Sequence, residues 1–231
     1  MLSRQFSFRA LVAGFALAAV AFGSGLRPAE AANFSFTGSL TSDDQVQLFN
    51  FSVGSSSSVT LRSWSYAGGT NAAGNTIARG GFDPILALFN SSGGLLNQND
   101  DGGCSNVPAD SVNGACFDVF LQSTLAAGDY TVAVMQYDNF ANGPNMSNGF
   151  QRAGEGNFTT AFDCSDNQPS FNDVTQDAGC GRTGALAFDI LNVNAASQDG
   201  AGDPPRDGVP EPATLLLLGL GLSGLALRRR A

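Results

Sequence analysis

Phe49-Asn50-Phe51-Ser52-Val53, then Gly54 and the serines Ser55 to Ser58, then Val59-Thr60-Leu61-Arg62: this stretch carries the reading that decides the fold. Apolar residues fall at every second position on both sides of a small polar turn, which is the period of strands buried on one face. The same period recurs where Phe34 and Phe36 alternate with Ser35 and Thr37, and again at Leu186, Phe188 and Ile190. Further strands are expected at Ile85 to Phe89, at Leu95 and Leu96, at Phe117 to Leu121 and at Tyr130 to Val134. Asn90-Ser91-Ser92-Gly93-Gly94 and Ala127-Gly128-Asp129 supply turns. About eight short strands without a helical pattern between them predict an all-β fold, an antiparallel β-sandwich, and about 160 residues suffice for one core.

Two stretches break the pattern. Residues 138–182 are rich in Asn, Gly, Asp and Ser and read as a long disulfide-pinned excursion. Residues 194–208 read as a flexible linker, which bounds the sandwich at 32–193.

The chain ends carry addresses. Arg4 and Arg9 precede an apolar run from Ala10 to Phe22, and Ala29-Glu30-Ala31 places small residues where an export peptidase cuts. Residues 1–31 therefore read as a signal peptide that engages the export translocon and signal peptidase. At the other end, Pro210-Glu211-Pro212 is followed by the apolar run Ala213 to Leu227 and then by Arg228, Arg229 and Arg230. Proline stops a preceding helix, leucines favour a new one, and terminal arginines stay on the cytoplasmic side. As a helix the run is about 22 Å long, a short transmembrane span.

Residues 209–231 resemble the PEP-CTERM sorting signal of exported bacterial proteins. The resemblance implies processing by an exosortase-type membrane protease near Pro210-Glu211-Pro212. It implies a protein transiently anchored in the inner membrane, then released to the cell surface or the extracellular space, in a bacterium that often makes exopolysaccharide.

Between the signals, 18 acidic residues oppose five arginines (Arg62, Arg79, Arg152, Arg182 and Arg206), a balance of −13 with no lysine anywhere. Such a surface excludes nucleic acid as a partner and calls for solvent or a cation to moderate its carboxylates. Cys104, Cys116, Cys164 and Cys180 all lie in this exported part, and an even count in an oxidising compartment favours two disulfides. Of three possible pairings, the local ones, Cys104 with Cys116 and Cys164 with Cys180, each staple a polar loop that no hydrophobic core holds. A cysteine metal site is the alternative, disfavoured by wide spacings and the absence of histidine.

Phe82-Asp83-Pro84-Ile85-Leu86-Ala87-Leu88-Phe89, Gly93-Gly94-Leu95-Leu96, Asn99-Asp100-Asp101 and Gly128-Asp129-Tyr130-Thr131-Val132 together resemble the bacterial pre-peptidase C-terminal (PPC) domain, over roughly residues 44 to 135, and the resemblance implies a jelly-roll-like β-sandwich. The cysteine-bearing insertion after Asp101 and the long segment after Tyr137 depart from that pattern. Asn97, Asn99 and Asp101 carry oxygen at every second position, a spacing used around calcium. An EF-hand is excluded because the first position is Asn97 and the twelfth is Pro108. Some PPC-like domains hold calcium on acidic loops, so the resemblance offers Asp83, Asn99, Asp100 and Asp101 as a structural calcium site. The competing reading is a solvated turn.

With no histidine in the chain there is no Ser-His-Asp or Cys-His arrangement and no imidazole base. Asp100 with Asp101, or Asp43 with Asp44, are the carboxylate pairs a glycoside hydrolase would need, but neighbours on a strand point apart. Trp64 and Tyr66, expected on one strand face with Arg62, offer aromatic planes for a sugar, or serve the core. Asn-x-Ser/Thr sequons begin at Asn33, Asn50, Asn90, Asn145 and Asn157 and follow from the composition. The expectation is an exported, non-enzymatic surface or extracellular-matrix protein, structural or adhesive. An exopolysaccharide-binding module is the alternative.

Overall fold

In the computed structural model, residues 30–166, 168–174 and 180–199 are described. Eleven strands run as β1 (Ala32–Ser39), β2 (Val46–Val53), β3 (Ser57–Ser63), β4 (Gly69–Thr70), β5 (Thr76–Ile77), β6 (Pro84–Asn90), β7 (Leu95–Asn99), β8 (Phe120–Leu125), β9 (Gly128–Gln136), β10 (Ala185–Val193) and β11 (Ala195–Gln198). They form a four-stranded sheet in the order β1-β10-β3-β8, a five-stranded sheet in the order β11-β2-β9-β6-β7, and the β4-β5 ribbon. All of these pairings are antiparallel. The helical content of the described residues is two single turns, Met146–Asn148 and Phe158–Ala161.

The alternation read in the opening stretch sorts residues as expected. Phe49, Phe51 and Val53 of β2 and Val59 and Leu61 of β3 lie in one cluster between the sheets, with Phe36, Leu86, Val132, Phe188 and Ile190. Each fully buried side chain of this size contributes about 1.5–3 kcal/mol. The runs Ile85 to Phe89 and Tyr130 to Val134 read as continuously apolar for a different reason. Leu86, Leu88, Val132 and Val134 face the sandwich core, whereas Ile85, Ala87, Phe89, Ala133 and Met135 form a second cluster capped by Tyr137, Phe140, Met146 and Phe150. β6 and β9 are thus buried on both faces, and the first part of the polar excursion is the cover.

Two expectations shift. The strand expected at Phe117 to Leu121 begins at Phe120, because Asp118 and Val119 serve the neighbouring loop through Gly102 N–H to Asp118 O and Ser63 N–H to Val119 O. Residues 195–199, expected in the flexible linker, join the sheet instead: Ala195–Gln198 pairs with β2 and Asp199 N–H reaches Leu48 O, while the rest of the expected linker lies outside the described residues. A strand edge recruits backbone amides whatever the side chains, and small residues such as Ala196 still pack on the core. The signal peptide (residues 1–31) falls outside the described residues up to 29, and the sorting tail with its transmembrane run lies wholly outside them. Among the described residues no helix is long and apolar enough to cross a membrane.

Candidate cation site

The β6–β7 hairpin builds the site. Its register sets Leu86 opposite Asn99, so the residues just outside each strand, Asp83 before β6 and Asp100–Asp101 after β7, meet at the open end of the hairpin. Asp83 is held by its own carbonyl, which accepts Tyr137 N–H at 2.7 Å. Gly102 turns the chain away, and no larger residue fits: a Cβ there would stand 2.8 Å from Phe120 N and 2.9 Å from Asp118 O. The carboxylates of Asp83, Asp100 and Asp101 each present an oxygen within 4.8 Å of the others. They grade from buried Asp83 through half-buried Asp100 to exposed Asp101.

Their electrostatics are unrelieved. Oδ1 of Asp83 and Oδ1 of Asp100 are buried and accept no hydrogen bond among the described residues. Burial, followed by the charges of Asp100, Asp173, Asp101 and Asp118, lifts the Asp83 carboxyl well above the usual range. Burial and then Asp101 and Asp138 push Asp100 up to about 6. Burial and Asp173 also raise Asp101. Tyr137 is raised by burial and then by these same carboxylates, which marks it as a wall of the site. A hard cation with several oxygen ligands is the group such a set fits, since it supplies the charge and fills the orphaned lone pairs at once.

Asn99, expected as a fourth ligand, donates its side-chain amide N–H to Phe120 O at 3.1 Å and ties β7 to β8. Asp43 and Asp44 do not form a working pair either. Asp43 is fully buried and accepts bonds from Thr159 N–H, Thr159 O–H and Phe171 N–H, while Asp44 accepts from Ser42, Gly154 and Gly156. The disulfides are Cys104–Cys116 and Cys164–Cys180, the local pairs. Cys164, Asp166 and Cys180 also lie close together, but both sulfurs are consumed in the disulfide.

Trp64 and Tyr66 lie beyond the end of β3, not on its face. Tyr66 is 0% exposed; its hydroxyl donates to Asp173, its ring carries the Arg182 guanidinium 3.5 Å away, and it has no plane to offer a sugar. Trp64 is covered by Arg62 at 3.8 Å on one side and crowded by Gly69, where a Cβ would stand 2.8 Å from its ring. Its indole N–H is bonded to Asp189. Tyr66 thus serves the core, the second use the sequence allowed, while Trp64 stays partly exposed against Arg62. Sequence reading missed Asp118, Asp138 and Asp173, whose charges bear on the site from other segments, and no local pattern marks them.

Residues 208–230 match the PEP-CTERM protein-sorting motif, the one the tail residues Pro210, Glu211, Pro212 and Arg228 to Arg230 resemble. The chain thus carries the signal of an exported protein that an exosortase sorts and whose C-terminal membrane anchor it processes. Among solved structures it is similar to the pre-peptidase C-terminal domain of a collagenase from Bacillus anthracis, at 12% identity and a TM-score of 0.31, over 74% of this chain and 98% of that one. At that level the likeness transfers no residue's role. No curated protein matches the chain.

Proposed function

We propose that this protein is a non-enzymatic, structural or adhesive component of the bacterial cell surface or extracellular matrix, whose sandwich is completed by one calcium ion held by Asp83, Asp100 and Asp101. One observation carries the cation: two buried carboxylate oxygens without a donor among the described residues, in a group of three carboxylates within 4.8 Å of one another. Calcium suits it best, because the ligands are all hard oxygens and histidine is absent from the sequence. The same absence supports the non-enzymatic reading. When bound, the ion neutralises the trio and joins the ends of β6 and β7, so the domain is rigid only where calcium is plentiful, as extracellular modules are.

Melting of the protein recovered from outside the cell, in chelator and in millimolar calcium, tests the site. A rise of several degrees that Asp83→Asn abolishes is expected; identical curves for the native protein remove it. Intact mass of the same material tests the sorting, with loss of residues 1–31 and of the chain beyond the Pro210-Glu211-Pro212 region expected. Turnover of a polysaccharide that vanishes in Asp100→Asn would replace the structural reading with a hydrolase.

A further inference from the structure

We infer that β8 is a docking edge for a second copy of this chain, which adds its own β8 antiparallel across a two-fold axis and joins the two four-stranded sheets into one continuous sheet. The inference is independent of the cation reading above.

β8 ends the order β1-β10-β3-β8, so β3 occupies only one of its sides. Ser63 N–H bonds Val119 O at 3.1 Å, and the alternation of an antiparallel ladder then aims the backbone of Leu121, Ser123 and Leu125 at β3 and that of Phe120, Gln122 and Thr124 away from it. Asn99 already uses this outer side, where its amide reaches Phe120 O at 3.1 Å. Further along, the backbone N–H and C=O of Gln122 and Thr124 have no partner among the described residues, and both residues are exposed.

A row of unpaired backbone groups is a template for another strand unless something shields it. The other edges are shielded, short or interrupted. On β7, Leu95 N–H is held by Pro144 O at 2.8 Å, Gly94 bridges Asn145, and Gln98 Oε1 accepts Ala141 N–H at 2.9 Å. β11 is four residues long. β1 has a register irregularity at Ala32–Asn33 and a glycine, Gly38, near its end. β8 keeps an unbroken register with β3 from Phe120 to Leu125 and carries no proline, glycine or charge.

Charge and pattern select a second copy as the occupant. The exported part is strongly acidic, so two copies repel wherever their carboxylates meet. Residues 119–127 hold no ionisable side chain, which leaves like chains free to approach along this edge. A two-fold axis beside Ser123 sets Gln122 opposite Thr124 of the second copy and Thr124 opposite its Gln122. That register makes four backbone hydrogen bonds and uses each of the four free groups once. It also sets Leu121 opposite Leu125 on the core side, where both already belong to the central cluster. A register centred on Gln122 would instead call on Phe120 O, which Asn99 holds.

Sedimentation of the protein recovered from outside the cell, over a concentration series, tests this, and a monomer–dimer equilibrium is expected. Thr124→Pro removes one outward N–H and no bond to β3, so the melting temperature should hold while dimerisation weakens at least about tenfold. Leu40 N–H on Gly184 O at 2.8 Å turns Thr37 N–H to the outer side of β1, so Thr37→Pro is the control and should dimerise as the wild type does. A wild-type monomer at every concentration overturns the inference. So do assemblies that grow beyond the dimer, a different polypeptide sedimenting with the monomer, wild-type dimerisation in Thr124→Pro, or loss of the dimer in Thr37→Pro. Hydrogen exchange on the wild-type chain needs no variant to fold: raising its concentration should slow exchange at Gln122 and Thr124 and leave Ser35 and Thr37 as they were. Unchanged rates at Gln122 and Thr124 contradict the docking.

Discussion

Buried aspartates in this protein come in two kinds. Asp43, Asp110, Asp118 and Asp189 each draw donors from distant segments. Asp118 takes Ser63 O–H and the backbone N–H groups of Ser65, Tyr66 and Ala67; Asp189 takes Ser35 O–H, Trp64 indole N–H and Ala72 N–H. Burial pushes Asp110 up, but Arg79, the N–H groups of Val112 and Asn113, and Arg182 outweigh it and hold the carboxyl at about 2. The trio at the end of the β6–β7 hairpin has the same residue type and comparable burial at Asp83 but lacks such donors among the described residues. Burial therefore does not define what an aspartate does. The supply of donors does: where it is ample the carboxylate is a structural staple, and where it fails the carboxylates are left to repel one another, which is the ground of the proposed cation site.

The comparison is broken most severely at a staple. Asp118→Ala strands four donors, three of them backbone, and should cost about 4 kcal/mol or more, or prevent folding, measured by denaturant unfolding in calcium. Asp83→Asn in chelator should do the reverse and raise the melting temperature, because it removes repulsion and no bond. Destabilisation in chelator would put Asp83 among the staples.

Next in size are the disulfides, whose sequence separations of 12 and 16 residues correspond to about 3 kcal/mol each in the chain-entropy account. Serine replacement of either pair, followed by denaturant unfolding, should lower stability by about that amount. Calcium itself should stabilise by about 2.7 kcal/mol at a hundredfold excess over Kd, about 5–10 °C of melting temperature for a domain of this size.

The smallest effect sharpens the comparison through pH. Asp100 is raised from 3.8 to about 6 and Asp83 is raised well above its usual range, so the folded chain holds more protons than the unfolded one above about pH 4. Stability contributed this way is complete below pH 4 and is lost as pH rises through 6. In chelator, melting temperature should therefore fall between pH 4.5 and 7, while in calcium, which favours the ionised carboxylates, the fall should vanish or reverse. A flat profile in chelator would mean that the trio is relieved by other groups.

Much of this was legible along the chain. The turn Asn90 to Gly94 sets the hairpin that brings Asp83 toward Asp100 and Asp101, and the Asp83-Pro84 and Asp100-Asp101 motifs flank the same two strands. Asn99 has a use that the alternate spacing did not show: its side-chain amide N–H bonds the backbone of β8. Trp64 and Tyr66 suit either a sugar or the core in the sequence, and only the folded chain separates them: Tyr66 is buried, whereas Trp64 stays partly exposed against Arg62. The strand Ala195–Gln198 was hidden because edge pairing uses backbone groups common to all residues.

The order of amino acids alone determined the two-residue period of the strands, the sorting tail, the acidic balance and the local disulfides, since each depends on neighbours or on composition. Which carboxylates find donors and which do not was decided only when Phe171 met Phe82, Asp118 met the Ser65–Ala67 backbone and the excursion closed over β6 and β9. Those meetings join residues tens of positions apart, and desolvation, which makes an unsatisfied carboxylate costly, exists only once the sheets have packed.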